Sequence, residues 1–348
     1  MRLIVAIALA LALAAALAQA QAGAPAQGHA GVVATDHASA LAPDQSAALA
    51  TDHTGARFSF AIIGDMPYYS GEEWLFADML KDIGREDLAF VVHIGDFKNG
   101  SSPCSDALFA RRLQQFQSMP HPFIYIPGDN EWTDCHRSGA DPLERLAKLR
   151  EMFYPDDDSL GERKLRLERQ SADPRFAEYR ENVRWTIGPA LFIGLNIPGS
   201  NNNLGRTPQM DAEYARRSAA NAAWLTEGFD LAKMNGHAAL FIAIQGDPYF
   251  ENAIGRTPHA ADGFAQFRQE LLAHTLAYGK PVILIHGDTH RYRVDHPLVD
   301  PATQRPVERF TRIESFGSPF MDWIRVRVDP ADPNLLAIKA GKEINPAR

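Results

Sequence analysis

Ile62-Ile63-Gly64-Asp65, His93-Ile94-Gly95-Asp96, Ile126-Pro127-Gly128-Asp129, Ile244-Gln245-Gly246-Asp247 and Ile285-His286-Gly287-Asp288 are five apolar runs that end in the same dipeptide, and Gly-Asp occurs nowhere else in the chain. Each run reads as a buried strand. In an open α/β sheet the carboxyl ends of the strands form one rim, and ligands bind there. Glycine lets the backbone turn sharply as the strand exits, which aims the following aspartate into the crevice. A single Gly-Asp is an ordinary turn signal; the same pair at five strand ends predicts a carboxylate-lined rim. Carboxylates gathered in one place repel each other, and hard divalent cations with oxygen ligands are the natural counterweight. His290, two residues after Asp288, adds a nitrogen donor on the same loop.

The surrounding sequence supplies the elements such a sheet needs. Arg57 to Gly64, Leu88 to Gly95 and Pro122 to Gly128 read as strands, with helices over Glu72 to Ile83 and Asp106 to Met119 between them. Pro142 to Phe153 reads as a third helix, with Asp141 placed to cap it and Pro142 in its first turn. Asn182 to Ile197 reads as a hairpin turning at Gly188-Pro189, and Asp211 to Lys233 as a long helix. Ala238 to Gln245 and Pro281 to His286 are two more strands, separated by a helix from Asp262 to Tyr278. Val307 to Ala340 alternates like strand and reads as antiparallel strands of a second sheet. Strand-helix-strand alternation predicts an α/β fold with mainly parallel strands covered by helices.

The chain has 348 residues and a formal net charge of −8, and it contains no basic run, so its surface is not that of a nucleic-acid binder. Met1-Arg2 is followed by an unbroken apolar stretch from Leu3 to Leu17 and then by Ala18-Gln19-Ala20. That pattern reads as a secretory signal peptide over residues 1–20. Residues 21–56 read as a flexible linker whose His29, His37 and His53 are solvated, and residues 57–345 as a single folded domain. No other segment is apolar enough to span a bilayer, so no membrane contact is expected after cleavage. Export to the periplasm or beyond places the chain in an oxidising compartment, where Cys104 and Cys135 can pair. Such a disulfide would tie the loop after Asp96 to the loop after Asp129.

In order and spacing these motifs resemble those of the calcineurin-like metallophosphoesterases, a superfamily that includes the purple acid phosphatases. The resemblance runs from Arg57 to about Tyr292. It implies two packed mixed β-sheets flanked by helices, a four-layer αββα sandwich. It also implies two metal ions at one edge, bridged by the second aspartate of the series. The family carries Asp-x-His, Gly-Asp, Gly-Asn-His-Glu/Asp, a lone His and Gly-His-x-His. Asp65 matches the first aspartate and Asp96 the bridging one. Asp129 takes the ligand place of the asparagine in Gly-Asn-His-Glu/Asp. Asp288 replaces the first histidine of Gly-His-x-His, and His290 keeps the second. Gln245 or Asp247 stands where the lone histidine falls.

Three further positions depart from the family pattern. Pro67 replaces the histidine of Asp-x-His, and Asn130 replaces a histidine that resembles a leaving-group acid. Asn99 sits where purple acid phosphatases have an iron-binding tyrosine, so no purple iron centre is expected. The resulting metal candidates are Asp65, Asp96, Asp129, Asp247, Asp288 and His290, for two divalent ions. Carboxylate richness favours Mn²⁺, Mg²⁺ or Ca²⁺ over Zn²⁺ or iron. Lys98, Arg291 and Asn130 are candidates for binding substrate, with Arg137 and Arg206 as further nearby cations. His286 reads either as a proton donor or as a buried, satisfied histidine. Glu131 reads either as a group that orients a ligand or as a loop hydrogen bond. Gly199-Ser200-Asn201-Asn202-Asn203 is a substrate-facing loop or a solvent turn. The activity implied is an exported, metal-dependent hydrolase of a small phosphoester. The alternative is a catalytically degenerate scaffold that binds a metal or a ligand. The residues give no oligomeric state.

Overall fold

Alternation along β1 (Phe58–Ile63) sends Phe60 and Ile62 into one apolar core and Ala61 and Ile63 into another. A strand covered on both faces needs apolar side chains at successive positions, which accounts for the continuous run in the sequence. In the computed structural model, which describes residues 57–251 and 261–341, β2 (Val91–His93) lies parallel to β1 and β3 (Phe123–Tyr125) parallel to β2. The signal peptide and linker expected over residues 1–56 lie outside the described residues. The outer face of these strands is covered by α1 (Glu73–Gly84), α2 (Asp106–Gln117) and α3 (Pro142–Phe153), whose Phe76, Phe109, Phe116 and Phe153 pack on Ala61, Val91, Phe123 and Tyr125. α3 starts as the sequence predicts. Asp141 Oδ1 accepts the backbone N–H groups of Leu143 at 2.8 Å and Glu144 at 3.3 Å, with Pro142 following it. A cap of this kind contributes about 1 kcal/mol.

The second sheet contains β4 (Glu168–Arg169), the hairpin β5 (Val183–Ile187) and β6 (Ala190–Gly194), β7 (Ala239–Ala243), β8 (Val282–His286) and β9 (Arg293–Asp295). A short ribbon of β10 (Val299–Asp300) and β11 (Arg305–Pro306) stands apart, and β12 (Phe310–Glu314) completes the sheet in the order β4-β5-β6-β7-β8-β12-β9. β6, β7, β8 and β12 run parallel, so their carboxyl ends share one edge. α4 (Pro208–Met234) and α5 (Ala265–Tyr278) cover the outer face, with Trp224, Phe229 and Leu271 against Leu191, Leu240 and Leu284. Between the sheets lies an aromatic stack. Phe60 is 4.8 Å from Phe90 and 5.4 Å, edge-on, from Phe192, which stacks on Phe241 at 4.6 Å. Each such ring pair adds about 1 kcal/mol beyond area burial. The layers are therefore helix, sheet, sheet, helix, the four-layer arrangement that the sequence resemblance implies. No helix among the described residues is long and apolar enough to cross a membrane.

One expectation is corrected. The C-terminal stretch does not form antiparallel strands of the second sheet alone. β12 enters that sheet parallel to β8, whereas β13 (Ile324–Val328) and β14 (Leu336–Ala340) join the first, with β13 antiparallel to β1. β1 would otherwise leave one edge of backbone groups unpaired. β13 fits there because Ile324, Val326 and Val328 enter the inter-sheet core while Arg325 and Arg327 point away from it. The crossing carries Ser315 and Ser318 over the rim.

Cys104 and Cys135 form a disulfide across 31 residues of sequence. Chain-entropy arguments give such a crosslink about 2–4 kcal/mol. The Cys104→Ser/Cys135→Ser double variant should lose stability of that order in denaturant unfolding at neutral pH; an unchanged unfolding midpoint contradicts the role assigned to it.

Candidate metal centre

The glycine of each Gly-Asp pair has a packing role, and only Gly95 among them takes positive φ, at 90°. A Cβ on Gly287 would lie 2.0 Å from Asp65 Oδ2, and one on Gly128 would lie 2.1 Å from Asp96 Oδ1. The glycine at one strand exit is thus the seat of the aspartate from another. Gly199 does the same without a following aspartate, because a Cβ there would meet Asp288 Oδ1 at 2.6 Å and Asp129 Oδ1 at 3.0 Å. Backbone bonds tie the exits together. Asp65 N–H donates to Gly95 O at 2.9 Å, Gly287 N–H to Gln245 O at 2.9 Å, and Asp288 N–H to both Asp65 carboxylate oxygens at 3.1 and 3.2 Å. Asp65, Asp96, Asp288 and His290 have φ of 53°, 59°, 76° and 62°. Left-handed backbone at a residue with a side chain costs on the order of 1–3 kcal/mol and clusters at functional sites.

Asp96 is the most heavily bonded of the carboxylates. Its Oδ1 accepts Asn130 N–H at 3.0 Å, and its Oδ2 accepts Asn130 Nδ2 at 2.8 Å and Gln245 Nε2 at 3.1 Å. The Tyr68 hydroxyl lies 3.2 Å from the same Oδ2, 3.0 Å from Asn130 Nδ2 and 3.1 Å from His290 Nε2. His290 Nδ1 is 2.6 Å from the carbonyl of Ser318. A carbonyl only accepts, so Nδ1 carries the proton and Nε2 presents its lone pair to the rim. Nε2 is also 3.8 Å from Asp65 Oδ1. Asp129 Oδ2 accepts the Ser200 hydroxyl at 2.7 Å, while its Oδ1 is buried with no partner among the described residues. Ser200 reaches Asp134 as well, at 2.8 Å, and Asp134 pairs with Arg137 at 2.8 Å and Arg206 at 3.5 Å.

Electrostatics at the rim are unfavourable as the protein stands. Burial, then Asp288 and Asp129, push the Asp65 carboxyl well above its ordinary range. Burial, then Asp129, Glu131 and Asp65, do the same to Asp96. Asp134 is pushed up to about 6 by burial and Asp129. Among the described residues no lysine or arginine forms an ion pair with Asp65, Asp96 or Asp129, and Arg137 and Arg206 are engaged by Asp134.

The remaining predicted residues are distributed as follows. Glu131 is buried and accepts the backbone N–H groups of Phe97 and, at 3.1 Å, Gly128, so it latches the β2 exit to the β3 exit. Its pKa rises to about 7, chiefly through burial. Lys98 is buried, and its ammonium donates to the carbonyls of Asn99 and Asn130 at 2.7 Å each; burial lowers its pKa. Arg291 is exposed. Asp247 meets the cluster through its backbone N–H, which donates to Asp288 Oδ2 at 3.1 Å. Its carboxylate instead accepts Tyr249 N–H at 3.0 Å and lies 3.9 Å from Arg293. Of the two residues offered at that strand end, Gln245 faces Asp96, and its Oε1 accepts Gly199 N–H at 2.6 Å. His286 is fully buried beside Glu314 and Asp247, with Nδ1 3.0 Å from Gly287 O and Nε2 without a partner among the described residues; burial lowers its pKa.

Sequence reasoning missed Tyr68, Asp134 and Ser318, and it left the Ser200 loop as either substrate-facing or a solvent turn. The signal for Ser200 was present in Asn201-Asn202-Asn203. Residues 200–203 all have positive φ, from 47° to 66°, and asparagine tolerates that region better than most residues. This left-handed turn is held from below by α4. Buried Arg217 donates to Asn202 Oδ1 at 2.6 Å and Asn202 O at 3.0 Å, and Glu213 accepts Asn203 Nδ2 at 2.9 Å.

Among the described residues no three His, Cys, Asp or Glu side chains already close on one point as ligands. The donor chemistry nevertheless fits hard cations: buried oxygens from several strands, an unpartnered Asp129 Oδ1 and a histidine lone pair aimed at the rim. No family model and no curated protein matches the chain. Among solved structures it is similar to PhoD at 14% identity and a TM-score of 0.48, over 81% of this chain and 68% of that one. It is also similar to Vps29 from Cryptosporidium parvum at 9% identity and a TM-score of 0.28, over 82% and 97%. A single mutant of Vps29 from Entamoeba histolytica shows 10% identity and a TM-score of 0.27, over 81% and 97%. The fold itself is two mixed sheets face to face, with helices outside.

The raised carboxyl groups give a pH dependence with a definite sign. A carboxyl whose folded pKa lies above its unfolded value holds its proton longer when folded, so folding is disfavoured progressively as pH rises through that interval. For Asp134 and Glu131 the interval runs from about 4 to about 7. Bound cations remove that penalty. The rise in melting temperature produced by saturating Mn²⁺ over chelator should therefore grow from pH 5 to about pH 7.5, and a rise of constant size, or none, contradicts the electrostatics described.

Proposed function

We propose that this chain is an exported, metal-dependent phosphoester hydrolase whose strand-exit rim binds two divalent cations. The observation that carries the reading is the set Asp65, Asp96 and Asp129, buried together with no lysine or arginine partner among the described residues. Desolvated like charges persist only when protonated or matched by cations. Asp65, Asp96 and His290 would hold one ion, and Asp96, Asp129 and Asp288 the other. Such ions supply Lewis acidity toward a phosphoryl group, and an oxygen-rich donor set favours Mn²⁺, Mg²⁺ or Ca²⁺.

The protein's own groups orient this site. Gln245 and Asn130 fix the Asp96 carboxylate, and the Ser318 carbonyl fixes the His290 tautomer. Asn130 can donate a hydrogen bond to a phosphoryl oxygen but has no proton to give a departing alkoxide. Esters with good leaving groups are therefore the preferred substrates. The Cys104–Cys135 disulfide supports an oxidising compartment, consistent with cleavage of residues 1–20 and a mature domain over residues 57–345. A second reading, a binding scaffold without turnover, is favoured by Ser200, whose hydroxyl engages Asp129 Oδ2.

Hydrolysis of para-nitrophenyl phosphate and of bis(para-nitrophenyl) phosphate, after chelation and reloading with Mn²⁺, Mg²⁺ or Ca²⁺, tests the two readings against each other. The enzyme reading predicts metal-dependent turnover that Asp96→Asn lowers by about 10²-fold or more. Full activity in Asp96→Asn contradicts the mechanism, and thermal stabilisation by metal without turnover selects the scaffold.

A further inference from the structure

A groove of about 590 Å³ opens beside the rim, and Tyr68 belongs to both. One side of the Tyr68 ring lines the groove together with Tyr69, Lys98, Arg111, Arg112 and Glu73, while its hydroxyl lies among Asp96, Asn130 and His290. The groove is cationic where the rim is anionic. Arg112 is neutralised by a two-pronged pair with Glu73, 2.7 Å on each prong. Lys98 is held on backbone carbonyls. Arg111 is exposed and makes no ion pair among the described residues, which leaves its guanidinium directed to solvent at the groove. The first turn of α2 borders the same space through Ser105, its N-cap, and Leu108, so the helix dipole adds to the positive field. Tyr69, 60% exposed, offers a flat apolar face at the lip.

We infer that this groove is the leaving-group subsite of the hydrolase, selecting phosphoesters whose leaving group is a planar ring bearing a second anionic substituent. The ring lies on Tyr69, the anion is met by Arg111, and the Tyr68 hydroxyl donates a hydrogen bond to the bridging ester oxygen at the junction of groove and rim. The inference rests on the hydrolase reading. It explains what a flat, cationic depression is doing next to a carboxylate cluster, and it assigns Tyr68, which the family pattern does not.

The test compares para-carboxyphenyl phosphate with the phosphate of its methyl ester, two substrates that differ by one negative charge, the ester having the better leaving group, so that a preference for the carboxylate runs against intrinsic reactivity. With Mn²⁺-loaded protein the kcat/KM ratio, carboxylate over ester, should be about ten in the wild type and fall close to one in Arg111→Ala, mainly through KM. Because the readout is a ratio, partial unfolding of the variant does not mimic the effect. A ratio near one in the wild type, or a wild-type ratio that Arg111→Ala leaves in place, overturns the subsite while leaving the hydrolase standing. No hydrolysis of either ester under Mn²⁺, Mg²⁺ or Ca²⁺ overturns both.

Discussion

Mutual repulsion among buried carboxylates is the constraint on which the remainder of this site depends. Asp65, Asp96 and Asp129, all buried, and the half-buried Asp288 come from different strands and meet at one edge. Nothing in local propensity favours that arrangement. It exists because two sheets, each with parallel strands ending on the same side, are packed face to face so that their rims coincide. The aromatic core between the sheets and the helices outside them supply the stabilisation, and the rim consumes part of it in left-handed backbone and desolvated charge.

The way the chain tolerates this explains the repeated dipeptide. Of the five glycines only Gly95 takes positive φ, and at Gly128 and Gly287 the glycine vacates the space into which a neighbouring strand's carboxylate fits. Gly199 extends the same device to a loop. Around that nucleus the protein has built polar supports that fix orientation: Gln245 and Asn130 on Asp96, the Ser318 carbonyl on His290, Ser200 on Asp129, and Arg217 with Glu213 beneath the asparagine turn. The Cys104–Cys135 bond closes the loops after two of the aspartates.

Much of this was legible in the sequence because the same physics writes both. Strands buried on two faces leave continuous apolar runs, and the seat glycines leave Gly-Asp, so the parallel strands with their helices and the carboxylate rim could be read from the residues, while the pairing of two sheets came from the family resemblance. The destination of β13 and β14 could not. Their alternation shows that one face is buried but not which open edge they pair with, and the vacant side of β1 is a tertiary fact. Asp247 and Gln245 were indistinguishable for a related reason: beyond the end of a strand the period of two no longer tells which way a side chain points. Tyr68 was hidden because the sequence drew attention to Pro67, one position earlier, where the family pattern has its histidine. The Tyr68 hydroxyl enters the cluster from that neighbouring position and joins Asp96 to His290.

The measurement that tests the central claim most directly is a count of cations. Equilibrium dialysis of the folded chain against micromolar Mn²⁺ at neutral pH, with bound metal determined by elemental analysis, should find two ions per wild-type chain and a clear loss of binding in Asp96→Asn, since that carboxylate is assigned to both ions. A folded wild-type protein that binds no divalent cation under these conditions would contradict the account, because the buried aspartates would then have to be neutralised by protons alone.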